Sequence, residues 1–362
     1  MNILILGNGQ LGQMLGRSAV HYGHACLLVD TKTDQVMPVA AYEALPMSLQ
    51  QAADWADVIS WEHEQLAPAH VQICADKFLS PTDKILMLTD RQLEKQLCDD
   101  LGIVTSPWSA FQTRDELAQL LADTQQAVVI KAAQGGYDGR SQWRYQPGDD
   151  TAQILQGAGQ QPGIVENMIP FECEVSLVGA RNAAGTTCCY PLVENVHTQG
   201  ILSYTLAGLS QLPAHLQQQA EQAFQRLTDE LSYVGTLAIE FFVVGEGNEA
   251  RLLVNEVAPR VHNSGHWSLS GCNCDQFDLH IRSLTNTPYP KQLATTPTLM
   301  VNVIGSSSIA EELWQDACAD PYWYGKAPRA GRKLGHVNFQ VDNKANAKGL
   351  ARKWQSPLQK LA

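Results

Sequence analysis

Residues 236–257 read TLAIEFFVVGEGNEARLLVNEV, two β-branched and aromatic runs on either side of the turn GEGN. Such runs, bounded by turn residues, predict an antiparallel hairpin. Each predicted strand carries one acid in apolar company, Glu240 on the first and Glu256 on the second. Period-two alternation places Glu240 on a face with Thr236, Ala238 and Phe242, and Glu256 on a face with Leu252 and Val254. With the hairpin centred near Asn248, the two carboxylates become cross-strand neighbours about 5 Å apart. Like charges at that spacing repel by roughly 3 kcal/mol at an effective dielectric of about 20. A divalent cation held through oxygen ligands removes that cost, and magnesium bridging to nucleotide phosphates is the usual arrangement. A carboxylate paired with an arginine, or a register that separates the two acids, are the structural alternatives.

A second stretch upstream, VVIKAAQGGYDGRSQW at 128–143, is a β-branched strand carrying Lys131, a loop with Gly135, Gly136 and Gly139, and another strand-like run. Two strands joined by a glycine-rich turn make a flap whose backbone N–H groups can approach phosphate oxygens. The bland reading is a mobile hairpin. Lys131 favours the phosphate reading, since lysine is rarely buried without an anionic partner. After the acid-bearing hairpin comes NEVAPRVHNSGHW, which gathers Arg260, His262, Asn263, Ser264 and His266. No helix is expected across NSG, so the two histidines read as part of a polar loop lining a substrate site, not as a metal pair. Further on, YGKAPRAGRKLGH concentrates Lys326, Arg329, Arg332 and Lys333. Such a run is either solvated surface or a site for a phosphate-sized anion.

The first ~80 residues alternate apolar strands with helical stretches, which implies a parallel sheet of βαβ units. Gly7, Gly9 and Gly12 spell G-x-G-x-x-G after the first strand, and Asp30 ends the second, the pattern of a dinucleotide fingerprint. In TDRQLEKQLCDDLGI, Thr89 and Gln92 suggest a capping box, Leu93, Leu97 and Leu101 one helical face, and Gly102 the end. Thereafter short strands dominate, with one amphipathic helix marked by Leu216, Ala220, Phe224, Leu227 and Leu231. The texture passes from α/β to α+β. The tail after Asn343 is Lys-rich and carries no clear pattern.

Composition bounds the function classes. The chain has 362 residues, with 44% hydrophobic and 17% charged residues, as a globular protein of two or three domains does. A net charge of −12 argues against nucleic acid as the main partner. No run approaches the ~20 apolar residues that span a bilayer, and no basic, cleavable N-terminal segment is visible. The expectation is a cytoplasmic protein without membrane association. Nine cysteines without a C-x-x-C pair read as free thiols; Cys188 and Cys189, and Cys272 and Cys274, lack zinc-ligand spacing.

Lysine strand, glycine flap and paired-glutamate hairpin together resemble the ATP-grasp superfamily, over about Arg91 to Arg282. GNGQLGQML, DRQLEKQL, GGYDGRSQW, NEVAPRVHNSGHW and GRKLGH, in this order, resemble the N5-carboxyaminoimidazole ribonucleotide synthase family of bacterial purine biosynthesis. The resemblance implies a Rossmann-like N-terminal domain (1–90), an ATP-grasp domain (91–297) with a flap subdomain at about 105–170, and a small C-terminal β-rich domain (298–362). In that fold the N-terminal glycine turn faces the acceptor substrate and binds no dinucleotide.

The resemblance also distributes roles. Arg91 and Lys131 contact the ATP phosphates, and the flap (Gly136, Tyr137, Asp138, Gly139, Arg140, Ser141, Gln142) closes over them. Glu166, Asn167, Met168 and Ile169 match the hinge that hydrogen-bonds adenine, Glu174 the ribose-binding acid, and His197 a further ATP-site position. Glu240 and Glu256 match the magnesium ligands, with Asn255 beside them. Lys326, Arg332 and Lys333 match the site for the phosphate of the acceptor, 5-aminoimidazole ribonucleotide. Tyr137, Asp138, Arg140, His262 and Asn263 lie where acceptor and bicarbonate meet, and Glu62 or Glu64 offers an acceptor contact. Two departures are Ala258, where many superfamily members have asparagine, and Ser141, where many have glycine. The implied reaction forms carboxyphosphate from bicarbonate and ATP and transfers its carboxyl to the acceptor's amine, in an enzyme that is typically a homodimer. Arg140 would stabilise the oxyanion, and Asp138 or His262 would handle the proton. A formate-using glycinamide ribonucleotide transformylase, a dehydrogenase and a non-catalytic nucleotide-binding module are the rival readings.

Overall fold

The computed structural model describes residues 1–41, 43–135 and 141–360. Its strands fall into three sheets, each drawn from one continuous part of the chain. The first contains β1 (Asn2–Leu6), β2 (Ala25–Asp30), β3 (Gln35–Pro38) and β4 (Val58–Trp61), in the order β3-β2-β1-β4. β1 pairs in parallel with β2 and β4. Ile3, Leu4, Ile5 and Leu6 are all fully buried, as expected of a parallel strand covered on both faces. β3 departs from the expected all-parallel sheet by running antiparallel to β2. The reason is length: residues 31–34 are too few for a crossover, so the chain can only turn back.

The helix Arg91–Asp100 leads into the second unit. Its cap is not the expected Thr89 box. Asp90 accepts from the backbone N–H groups of Gln92 and Leu93, while the Thr89 hydroxyl donates back to the Leu86 carbonyl. The buried face also differs, because Leu93 is 45% exposed and the covered residues include Arg91, Glu94 and Lys95 beside Leu97 and Cys98. Gly102, at φ +64°, does end the helix. The second sheet holds β5 (Trp108–Phe111), β6 (Val128–Ala132), β7 (Gln142–Tyr145) and β8 (Gly163–Asn167), in the order β5-β8-β6-β7. Gln92 ties the helix to it by donating to the carbonyls of Phe111 and Gly163.

The third sheet has nine strands: β9 (Cys173–Arg181), β10 (Thr187–Cys189), β11 (Val193–Thr198), β12 (Ile201–Ala207), β13 (Gly235–Val244), β14 (Arg251–Ala258), β15 (Thr298–Ile304), β16 (Ala319–Trp323) and β17 (Lys333–Gln340). Its order is β14-β13-β9-β11-β12-β15-β17-β16, with β10 on β9. The strands after residue 298 therefore continue the central sheet, through β12 and β15, and build no separate one. The tail after Asn343 forms a helix, Lys344–Leu358, whose Ala347, Ala351, Trp354 and Leu358 cover Leu206, Leu299, Val301 and Phe339. Those four residues recur at helical spacing, the signal that the lysines obscure. All nine cysteines are free, four of them buried and Cys318 exposed.

Candidate active site

A cavity of about 720 Å³ opens between the three sheets. Its centre is the β13–β14 hairpin, where Glu240 stands opposite Glu256 as the sequence predicted. The register reaches this pairing by a bulge. Phe241 pairs with Val254, so Asn255 is the extra residue on β14. Beyond a bulge the alternation inverts. The expected face of Glu256 with Leu252 and Val254 is thus corrected: those two enter the core with Phe241 and Val243, and Glu256 shares its face with Leu253 and Ala258. The bulge brings Asn255 and Glu256 to the same cavity wall.

Among the described residues the contacts of the two carboxylates are long. Glu256 accepts from Arg91 at 3.3 Å, and Glu240 Oε1 lies 3.7 Å from His262 Nε2. Burial pushes the Glu240 carboxyl up to about 6; His197 opposes this and the Glu256 and Glu174 charges add to it. Glu174 and His197 form a close pair on neighbouring strands. Burial works to lower the His197 imidazole, but the Glu174 hydrogen bond and the Glu240 charge prevail and raise it.

Beside this pair lies a closed cluster. Glu166 receives Lys95 and Lys131, each at 2.6 Å, with all three side chains 8% exposed or less. Burial opposes the Glu166 charge, yet the two ammonium groups hold its carboxyl down to about 2. Lys131 also donates to Asn255 Oδ1 (3.2 Å), and Lys95 to the carbonyls of Val254 and Asn255. Lys131 is itself lowered, by burial first and then by Lys95 and Arg91 against the pull of Glu166. The cluster carries two cations and one anion, and Lys131 faces the cavity with charge to spare. The Glu166 carboxylate is taken up by the two lysines, which leaves the backbone of the expected adenine hinge on the cavity wall. Asn167, Met168 and Ile169 follow it along the cavity wall, where Val129, Phe171, Leu202 and Phe242 make an apolar slot. Phe171 stacks on Phe242 at 4.7 Å.

At the opposite end the glycine turn meets Glu62. The Gly9 N–H donates to its carboxylate (2.6 Å), and a Cβ at Gly9 would collide with Glu62 Oε1. A Cβ at Gly12 would collide with the Gly7 carbonyl. The fingerprint glycines thus make room for a carboxylate delivered by the end of β4. Glu64 points elsewhere, accepting from Arg260 at 2.7 Å, so of the two expected acids only Glu62 lines the cavity. Lys326 and Lys333 reach the cavity, whereas Arg332 donates to the Ala327 carbonyl (3.0 Å) and does not line it. Asn263 is 9% exposed and lines the cavity, and neither polar atom of its side chain has a partner among the described residues.

His262 occupies the junction. Its Nδ1 accepts from the Ser264 N–H (3.3 Å) and lies 2.8 Å from the Ser264 hydroxyl, which receives Ser176. The imidazole is lowered well below its ordinary value, chiefly by burial and then by Arg260 and Lys333. His262 is therefore neutral, with its proton on Nε2. Ser141 adopts φ +55°, the left-handed conformation that explains why glycine suits this position. The remaining flap residues Gly136, Tyr137, Asp138, Gly139 and Arg140 lie outside the described residues; Gln142 lines the cavity. Sequence reasoning missed Lys95, Gln10, His63, Ser106, Arg144 and the apolar slot, all of which depend on contacts distant in the chain.

Comparison with known proteins places the chain in a family. The ATP-grasp domain family matches residues 96–277, and the phosphoribosylaminoimidazole carboxylase C-terminal domain matches residues 298–349. The chain is 38% identical over 352 residues to the N5-carboxyaminoimidazole ribonucleotide synthase of Vibrio cholerae serotype O1, covering 94% of this chain and 91% of the relative. It is 36% identical over 338 residues to that of Escherichia coli K12, covering 93% and 89%. The solved N5-carboxyaminoimidazole ribonucleotide synthetase of Thermus thermophilus superimposes with a TM-score of 0.85 at 32% identity, over 99% of both chains. A Staphylococcus aureus N5-carboxyaminoimidazole synthetase complexed with ADP does so with 0.85 at 26% identity, over 98% of this chain and 96% of that one.

Proposed function

The chain belongs to the N5-carboxyaminoimidazole ribonucleotide synthase family of ATP-grasp ligases, and on that premise we propose how its cavity divides the labour of an ATP-dependent carbon–nitrogen ligase. ATP lies with adenine in the slot of Val129, Met168, Phe171 and Phe242, its ribose at Glu174 and its phosphates over Lys131 and Arg91. The acceptor, 5-aminoimidazole ribonucleotide, lies at the other end, between Glu62, Asn263 and the cations Lys326 and Lys333. Bicarbonate enters between them. The single observation that carries this reading is one cavity lined by Lys131, by Lys326 and Lys333, and by the facing carboxylates Glu240 and Glu256.

The middle fits magnesium. Glu240 and Glu256 are hard oxygen donors facing each other on neighbouring strands. Among the described residues no group of three or more acidic, histidine or cysteine side chains gathers around one point. Magnesium held by two carboxylates would complete its shell with phosphate oxygens and water. When bound, magnesium would draw negative charge from the β- and γ-phosphates.

In the first step a bicarbonate oxygen attacks the γ-phosphorus, ADP leaves, and carboxyphosphate forms. Lys131 holds the transferred group, its own position set by Glu166 and Asn255. In the second step the exocyclic amine attacks the carboxyl carbon, phosphate leaves, and the amine loses a proton. His262 already carries its proton on Nε2, so it suits donating a hydrogen bond to an oxygen of the carboxyl while keeping that proton, which leaves acceptance of the amine proton to Asp138. Arg140 stabilises the oxyanion, and closure of the flap excludes water from carboxyphosphate.

The test is phosphate release from magnesium-ATP with and without the acceptor ribonucleotide, in bicarbonate-supplied and carbon-dioxide-depleted buffer. Release that needs both supports the reading. Release that instead needs formate and glycinamide ribonucleotide would move the chain to the transformylase. The assembly proposed is a C2 homodimer, the commonest arrangement. The compartment proposed is the cytoplasm, in keeping with nine free thiols. No described helix is long and apolar enough to cross a membrane.

A further inference from the structure

Behind the acceptor end runs a chain of hydrogen bonds whose polarity follows from one unambiguous link. The backbone N–H of His262 donates to Gln276 Oε1 at 2.8 Å, and Gln276 Nε2 donates to the His262 carbonyl at 2.8 Å. A backbone N–H only donates and a carbonyl only accepts, so the Gln276 amide has a single orientation. The same Nε2 lies 2.9 Å from His266 Nδ1, which makes that ring nitrogen an acceptor. Both side chains are fully buried. Burial, with His336 and Lys333 acting in the same direction, holds the His266 imidazole neutral. A neutral imidazole has one donor and one acceptor, so the proton of His266 sits on Nε2.

That Nε2 faces Gln10. As placed, Gln10 Nε2 lies 2.9 Å from it, and Gln10 Oε1 receives Lys326 at 3.0 Å. Two donors then meet across the His266–Gln10 contact. Gln276 cannot turn, so the conflict is relieved by turning Gln10, which gives up the Lys326 hydrogen bond to its Oε1. Turning an amide over exchanges oxygen and nitrogen in nearly the same positions. Oε1 then accepts from His266, and the NH₂ of Gln10 stands beside the Lys326 ammonium at the cavity wall. An oxygen-rich anion between them can accept from both.

We propose that Gln10 is a ligand for the anionic group of the acceptor, its amide held donor-outward by His266 and Gln276 so that Gln10 and Lys326 grip one phosphate. His266 and Gln276 are then positioning residues, acting through Gln10. This inference rests on the acceptor phosphate lying at Lys326 and Lys333, as proposed above.

The variant Gln10→Glu separates the possibilities. A carboxylate at position 10 accepts from both His266 and Lys326, which removes the donor conflict, but it repels a phosphate. The expected result is an acceptor KM raised about tenfold or more, with kcat within about twofold and the thermal midpoint of the free protein no lower. An unchanged KM overturns the proposal, as does a lowered midpoint with KM intact. Lys326→Met is measured in parallel. If it raises KM and Gln10→Glu does not, Gln10 is no ligand and the phosphate placement stands; if neither moves KM, the placement itself falls. Independently of either variant, ¹⁵N spectra of the wild-type histidines report the tautomer, the His266 signals being assigned by their loss in His266→Phe. A proton on Nε2 is expected. One on Nδ1 overturns the polarity on which the proposal stands.

Discussion

Two charged clusters lie side by side at the β14 bulge, and they are built on opposite terms. Lys95, Glu166 and Lys131 form a closed set: two short ion pairs, nearly no exposure, and further bonds to the β14 bulge. Glu240 and Glu256 form an open set, 20% and 33% exposed, with long contacts to His262 and Arg91. The first cluster ends with a surplus cation and the second with a surplus of negative charge. The difference teaches where the protein balances its own electrostatics and where it leaves the balance to a ligand. The magnesium-nucleotide proposed above, cation and anion in one particle, would be complementary to the two clusters taken together.

Breaking the open set should cost the most activity. Glu256→Gln is expected to lower kcat by about 10²–10³ or more, as removal of a charge-stabilising group at a reacting phosphate does. Steady-state phosphate release measures it, and the unfolding midpoint should stay within a few degrees of wild type. Breaking the closed set should cost stability instead. Glu166→Gln strands two buried ammonium groups and is expected to destabilise by about 3–5 kcal/mol, read by urea unfolding. Equal loss of stability in both variants would erase the distinction drawn here.

The pH dependence sharpens it. Glu166, held down to about 2, binds fewer protons folded than unfolded, so its stabilisation is present above about 4.5 and fades as pH falls through 4.5 toward 2. Glu240, raised to about 6, has the reverse sign: the folded protein binds the extra proton, so stability falls as pH rises from about 4.5 to about 6, and the cost persists above. Glu240→Gln should therefore raise the thermal midpoint of the ligand-free protein at pH 7 and leave it nearly unchanged at pH 4. A lowered midpoint at pH 7 would place Glu240 in the closed class. Smallest of all should be Arg332→Ala. With its guanidinium on the Ala327 carbonyl, the acceptor KM should rise less than about threefold, below the effect of Lys333→Met.

How far these clusters were legible in the sequence depended on what kind of contact made them. The facing of Glu240 and Glu256 followed from strand period and a turn near Asn248, local information. The face they share did not, because a single extra residue at Asn255 inverts everything beyond it. Lys95 was hidden by a habit of the apolar pattern: the helix Arg91–Asp100 was read for its leucines, while its buried face is largely charged. Gln10 and His266 meet across 256 positions, and nothing nearby in the chain announces it. The glycine fingerprint was ambiguous for a different reason. Its turn is the same whether it receives a pyrophosphate or, as here, the Glu62 side chain.

One consequence of the sheet order concerns what can be cut away. β12 is an interior strand only because β15 pairs with it, and β15 begins the C-terminal third of the sheet. A chain truncated before Thr298 would leave β12 with a row of unmatched amide and carbonyl groups and with Leu206 stripped of its cover. A raw edge of that kind recruits other strands, so the fragment should self-associate and not persist as a free nucleotide-binding module. Lys333, on β17, is thus joined to the β13–β14 hairpin by a single continuous ladder, and a cut before β15 would separate the two.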